Sequence, residues 1–242
     1  KSKGAIFVGE VDQVPDGAIT VFSAHGVAEK VENEAKRRNL PVIDATCPLV
    51  TKVHNEAKRY DEEKRQIILI GHKGHPEVEG TSGRVGQEVI LVQNVNDVNE
   101  LQVADPDNLA YVTQTTLSLD DTKIIIDALK SRFPTIMGPD LRDICYATQN
   151  RQNAVRELVK HVQLLLVIGA KNSSNSNRLR DLGEEMGVTS HLIAGPQDIK
   201  PEWLEEIASI GITAGASAPE ILVEQVIDHL KKLHPSTVET LE

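Results

Sequence analysis

Eight short apolar runs alternate with helix-like segments along this chain, and that alternation narrows the fold more than any other feature. The runs are AITVF (18–22), LPVID (40–44), QIILIG (66–71), EVILV (88–92), LAYVT (109–113), LLLVIG (164–169), SHLIA (190–194) and ASIGIT (208–213). Helix-like segments lie between them at 27–38, 48–63, 119–133, 151–162, 176–186 and 218–233. Such alternation predicts an α/β protein with mainly parallel sheets.

The alternation also repeats. Cys47 to Gly71 spans 24 residues and ends in ILIG; Cys145 to Gly169 spans 24 and ends in LVIG. Thr113 and Thr213 open polar loops 100 residues apart, and IIDAL (125–129) and VIDHL (226–230) follow at matching places. Each unit reads Cys, helix, strand, polar loop, helix, strand, strand, polar loop, helix. TVFSAHG (20–26) stands where YVTQTT stands in the next unit. The expected division is therefore a remnant of a first unit at 1–46, a second unit at 47–142, a third at 143–233 and a tail at 234–242. By the same symmetry a half-unit with a third cysteine is expected ahead of Lys1, so the chain reads as a fragment.

Composition excludes several classes. A net charge of −10 over 242 residues argues against a general nucleic-acid binder, which needs a basic footprint. It leaves room for a phosphate ligand, because a local nest of N–H groups binds an anion on an acidic protein. No run of 18 apolar residues suggests a membrane span, and no secretory leader is visible, so a cytoplasmic protein is expected. Two cysteines in that setting point to chemistry or metal rather than a disulfide.

Ligands of parallel α/β sheets bind beyond the C-terminal strand ends. Here those ends carry SAHG (23–26), HKGHPEVEGT (72–81), TQTTLS (113–118), AKNSSNSNRL (170–179) and TAGASAP (213–219). In KNSSNSNRL, Ser and Asn crowd a helix start. One or two would be capping; five in six positions exceed what a cap requires and point to an anion site. Gly215 allows close backbone approach, and Ser217 lies just before Pro219. His25, His72 and His75 lie in strand-end loops, where a phosphate partner or proton carrier competes evenly with a surface role. His54, His161, His191, His229 and His234 are read as packing or surface residues. Glu77 follows His75 by two positions, and a glutamate in a closed loop supplies a proton if its pKa is raised.

Both cysteines precede a helix, where the dipole favours a thiolate. Both hold the same place in a repeat, which a buried packing role does not explain. Three such units would gather three thiolates, leaving one iron of an iron–sulfur cluster open for Lewis-acid chemistry. A zinc site from Cys47, Cys145 and two loop histidines is the rival, without close C-x-x-C spacing behind it.

FSAHGV, DATCPLVTKVH, GHKGHPEVEGT, TQTTLS, DICYATQNRQ, KNSSNSNRL and TAGASAPEIL together resemble the 4-hydroxy-3-methylbut-2-enyl diphosphate reductase (LytB-type) family, over residues 22–222. The resemblance implies three α/β units in a pseudo-threefold arrangement about a central 4Fe–4S cluster. It implies reductive removal of a hydroxyl, giving isopentenyl and dimethylallyl diphosphates, the last step of the non-mevalonate isoprenoid pathway. It further implies Cys47 and Cys145 as cluster ligands, and His25, His75, Ser173, Ser174, Asn175 and Ser217 as holders of the isoprenoid diphosphate. Glu77 and Thr115 would deliver protons, with Gln114 and Thr116 as supporting neighbours. Electrons would arrive from a small ferredoxin- or flavodoxin-type carrier, since no G-x-G-x-x-G follows a strand. The family's N-terminal cysteine and a further histidine have no counterpart here, and its C-terminal extension is shortened. The chain as written is therefore not expected to hold an intact cluster. A non-catalytic diphosphate-binding fragment without a cluster is the alternative, and a zinc hydrolase a remote third.

Overall fold

Among the described residues every strand pairing is parallel, and the strands fall into three sheets. The computed structural model describes residues 4–240. In chain order the elements are β1 (Thr20–Phe22), α1 (Glu29–Arg37), β2 (Val42–Asp44), α2 (Pro48–Glu62), β3 (Gln66–Ile70), α3 (Pro76–Ser82), β4 (Ile90–Val92), α4 (Val95–Glu100) and β5 (Leu109–Thr113). They continue with α5 (Leu119–Arg132), α6 (Tyr146–Leu158), β6 (Leu164–Ile168), α7 (Ser174–Glu185), β7 (Thr189–Ile193), β8 (Ile210–Ala214) and α8 (Glu220–Leu233). All eight expected strands form, and the α/β class with parallel sheets holds.

The strand orders are β1-β2, β4-β3-β5 and β7-β6-β8. In both three-stranded sheets the centre is the strand that follows a cysteine-headed helix. Ile68 sits between Ile90 and Tyr111, and Leu166 between His191 and Ile212. The continuous apolar runs are explained by burial on both faces. Along β6, Leu164, Leu166 and Ile168 join one cluster with Ile193 and Val226, while Leu165 and Val167 join another with Val155 and Leu179. Each such side chain removed from water contributes about 1.5–3 kcal/mol. The equivalent Ile67 and Leu69 of β3 pack on Val53, Ala57 and Tyr60 of α2.

The chain divides into two compact units. One runs through Thr115 and includes Leu119–Asp143; the other holds Thr116–Ser118 and Ile144 onward. The first unit contains both the β1-β2 sheet and the β4-β3-β5 sheet. The likeness of 20–26 to the loop after β5 has a structural echo. Ala110 of β5 bridges Met137 in parallel, much as Thr20 of β1 pairs with Val42. The two-stranded sheet leaves Val21 59% and Ile43 56% exposed, whereas all five residues of β5 are buried.

The helices depart from the sequence reading in three places. HPEVEGT is not an open loop: Pro76 begins α3, with His75 as its N-cap. The polar segment NVNDVNE forms α4, capped by Asn94, whose side chain accepts from Asn96 and Asp97 N–H. Helix α6 begins at Tyr146, directly after Cys145, and ends at Leu158. Its first turn is the polar run YATQ, which lacks the apolar period used to find it.

Candidate functional site

Two turns closed by the same hydrogen bond, from the fourth residue back to the first, deliver the polar groups, one in each unit. In the first unit β3 ends at Ile70, and the His75 N–H donates to His72 O (3.1 Å), closing a turn in which Gly74 takes φ +77°. In the second, β6 ends at Ile168, and the Ser173 N–H donates to Ala170 O (2.9 Å). Each turn runs directly into a helix, with His75 and Ser173 as the N-caps. The likeness goes deeper. Two residues into α3, the carboxylate of Glu77 accepts the N–H of Thr115, two residues past β5 (2.6 Å). Two residues into α7, the amide oxygen of Asn175 accepts the N–H of Ala216, two residues past β8 (2.9 Å). One scaffold thus presents an acid in one copy and a neutral amide in the other.

Glu77 is 2% exposed. Besides the Thr115 N–H, the Thr115 hydroxyl donates to its second oxygen (3.0 Å). Those two bonds favour the carboxylate, but desolvation outweighs them and raises its pKa to about 7. The buried Asp143 carboxylate pushes in the same direction. Glu77 is accordingly a group that holds or gives up a proton near neutrality. The glutamate comes from a helix rather than an open loop, and its backbone N–H donates to His75 Nδ1 (3.2 Å).

That last bond fixes the tautomer. With Nδ1 accepting, the ring proton of neutral His75 lies on Nε2, as a donor. Burial, with smaller contributions from His25 and His72, lowers the His75 pKa to about 4, so the ring is uncharged at neutral pH. His25 meets it edge to face, with ring centroids 5.4 Å apart. The His25 turn closes through Gly26 N–H to Ser23 O (3.0 Å), with Gly26 at φ +73°. Its Ala24 carbonyl accepts the N–H of Cys47 (3.0 Å). His25, His75, Glu77 and Thr115 are therefore brought together within the first unit. Gln114, 1% exposed, accepts the N–H of His72 (3.1 Å) and fixes the turn to the end of β5. His72 itself stays exposed.

In the second unit Ser173 Oγ accepts the N–H of Ser176 (3.3 Å) and the Ser176 hydroxyl (3.0 Å), so it does cap the helix. The Ser174 hydroxyl donates to Thr116 O (3.3 Å). Asn175 is 4% exposed, with Nδ2 3.5 Å from Thr148 Oγ1. Ser217 is exposed. Gly215 earns its place by crowding: a Cβ there would lie 2.0 Å from Ser176 Oγ. Pro219 is the N-cap of α8 rather than part of its first turn. Ser173, Ser174 and Asn175 thus belong to the hydrogen-bonded helix start of α7, with Gly215 packed against Ser176, and the positive end of the helix dipole there suits an anion.

The cysteines repeat as closely. Cys47 (φ −58°, ψ 133°) and Cys145 (φ −55°, ψ 131°) are the N-caps of α2 and α6. Neither thiol accepts a capping bond, both are free and both are partly exposed. An N-cap that leaves its helix N–H groups unmet stabilises a thiolate. The thiols therefore suit metal ligation. Two of them fall short of a cluster's full ligand set, and among the described residues no group of three His, Cys, Asp or Glu side chains could hold a metal.

The sequence reading did not name Asp143, and His54, read as a packing or surface residue, is indeed buried in the first unit. Asp143 is fully buried and accepts from Lys52 Nζ (2.6 Å). His54 on α2 is 4% exposed, as a packing residue, and lies beneath the His25 turn. Neither sits in a strand-end loop, which is why neither stood out.

Residues 1–231 match the family model described as LytB protein. The chain is 60% identical over 241 residues to 4-hydroxy-3-methylbut-2-enyl diphosphate reductase 2 of Bradyrhizobium diazoefficiens, covering 100% of this chain and 78% of that protein. A solved structure from Plasmodium falciparum, described as E-1-hydroxy-2-methyl-but-2-enyl-4-diphosphate reductase, superimposes with a TM-score of 0.90 at 39% identity, over 95% of this chain and 72% of that one. A second, described as (E)-4-hydroxy-3-methyl-but-2-enyl diphosphate reductase, the terminal enzyme of the non-mevalonate pathway, gives 0.61 at 30% identity, over 91% of this chain and 78% of that one. The chain belongs to the LytB protein family.

Proposed function

We propose that this chain is a 4-hydroxy-3-methylbut-2-enyl diphosphate reductase, removing the substrate hydroxyl to give isopentenyl and dimethylallyl diphosphates in isoprenoid biosynthesis. The observation that carries the reading is Glu77: a buried carboxyl with a pKa near 7, held by Thr115, in the same unit as a pair of edge-to-face histidines. The reaction consumes two electrons and two protons, and the hydroxyl leaves as water. Glu77, protonated at or below neutrality, gives the proton that turns the hydroxyl into a leaving water. Thr115 holds the acid in place through both of its donors.

The diphosphate is taken by neutral donors. His75 offers Nε2–H, and His25 stands beside it. Ser173, Ser174, Asn175 and Ser217 act for the second unit at the α7 and α8 helix starts. Anchoring the charged end away from the reacting carbon converts remote binding energy into orientation. Cys47 and Cys145 would be two ligands of a 4Fe–4S cluster, which when bound would supply electrons one at a time. A small ferredoxin- or flavodoxin-type carrier delivers those electrons, and the reaction takes place in the cytoplasm. Among the described residues no helix is long and apolar enough to cross a membrane. The repeat proposed within the two compact units runs 1–46, 47–142 and 143–233, followed by a tail at 234–242.

The test is calorimetry with the substrate beside anaerobic turnover. Substrate binding together with dehydroxylated products supports the reading. Binding without iron or turnover would leave a non-catalytic diphosphate-binding module. Absence of binding would remove both.

A further inference from the structure

The turn that carries His25 is held on three sides within the first unit. Its Ala24 carbonyl accepts the Cys47 N–H (3.0 Å). Its Gly26 carbonyl lies against α3, where a Cβ on Gly80 would come within 3.3 Å of that oxygen. On its third side is His54 of α2: a Cβ on Gly26 would lie 2.5 Å from His54 Cε1 and 3.2 Å from Nε2. His54 is 4% exposed and its Nε2 has no hydrogen-bond partner. A buried unpaired nitrogen costs stability, and an apolar side chain could fill the same space without that cost. A group retained against stability calls for another reason.

We propose that His54 is a positioning residue, the wall against which the Ser23–Gly26 turn is set. The turn meets α2 through His54 and α3 through Gly80, and His75 is the N-cap of α3. The His54 ring thereby fixes where His25 stands relative to His75, and relative to the backbone of Cys47. The glycine is required for this contact, because any side chain at position 26 would occupy the ring's place and would also strain a φ of +73°. Burial keeps His54 neutral, so the wall adds no charge beside the histidine pair. This inference rests on the reading of His25 and His75 as diphosphate holders.

Two readouts on the intact protein test it: affinity for inorganic pyrophosphate, and the NMR signals of the His25 and His75 rings. His54→Ala and Gly26→Ala should each weaken pyrophosphate binding about tenfold or more and shift both ring signals, since a displacement of about 1 Å is felt strongly by a preorganised site. His54→Gln, close in volume and still polar, should retain affinity within about threefold. In the double variant the truncated wall makes room for the new methyl, so Gly26→Ala should cost less in the His54→Ala background than alone. Thermal unfolding verifies that each variant is folded; if His54→Ala does not fold, His54→Gln and the Gly26→Ala effect carry the test. Ring signals and affinity unchanged in His54→Ala, or a double variant as impaired as the product of the singles, would overturn the proposal. If the unaltered protein ignores pyrophosphate, the diphosphate reading fails, and the ring signals alone decide the role of His54.

Discussion

Two donors from Thr115 pull Glu77 toward ionisation, and burial pushes it the other way; at 2% exposure burial wins, and the carboxyl titrates near 7. Glu77→Gln should therefore lower turnover by about 10²–10⁴-fold while leaving substrate affinity nearly unchanged, as read by steady-state kinetics and calorimetry. Thr115→Val removes one bond that favours the carboxylate, so the alkaline limb of the rate profile, where the acid loses its proton, should move to higher pH. The same group leaves a mark on stability. Its folded pKa, about 7, exceeds its ordinary 4.5, so its contribution is intact below 4.5 and lost as pH rises through 7. The loss is on the order of 3 kcal/mol. His54 and His75 run oppositely: their folded values, about 4, lie below 6.5, so their contribution is intact above 6.5 and lost as pH falls through 4. Urea denaturation of Glu77→Gln beside the unaltered protein separates the two, and the stability gap should move in favour of the variant between pH 5 and pH 8.

The elements show why strands were legible and short helices were not. Runs such as LLLVI are apolar because β6 is covered on both faces, and burial of that kind writes itself into composition. Helix α3 has seven residues and carries Pro76, Gly80 and Thr81, so periodicity is silent. Its signals are Pro at the first helical position and a capping residue before it. The pairing of Glu77 with Asn175 was likewise hidden, because it depends on which N–H each side chain meets beyond a different strand. Gly183 of α7 illustrates how packing overrides propensity. Alanine favours a helix over glycine by about 1 kcal/mol, but a Cβ there would lie 2.2 Å from Ser190 Oγ and 2.7 Å from Leu165 Cδ2. Overpacking costs about 1–3 kcal/mol, so Gly183→Ala should lower the urea midpoint rather than raise it. Leu166→Ala, in the centre of the same sheet, should cost about 2–5 kcal/mol by the same measurement.

At the scale of the whole molecule, the repeat was the most legible feature. Cysteine N-caps with nearly equal backbone angles, central strands after each cysteine-headed helix and matching turns all follow from one folding plan used twice. The chemistry was less legible, because it lies where the copies differ: His75 against Ser173 and Glu77 against Asn175. Those differences place an acid and its histidines in one unit and neutral donors in the other. The proposal that carries the chemistry is that both thiols are iron ligands. The measurement is the visible spectrum and iron content of the protein isolated without oxygen, taken beside Cys47→Ser and Cys145→Ser. With the full complement of cluster thiols present, the expected result is a brown, iron-containing protein whose absorbance falls with either substitution; a colourless protein, or absorbance indifferent to both, would contradict it.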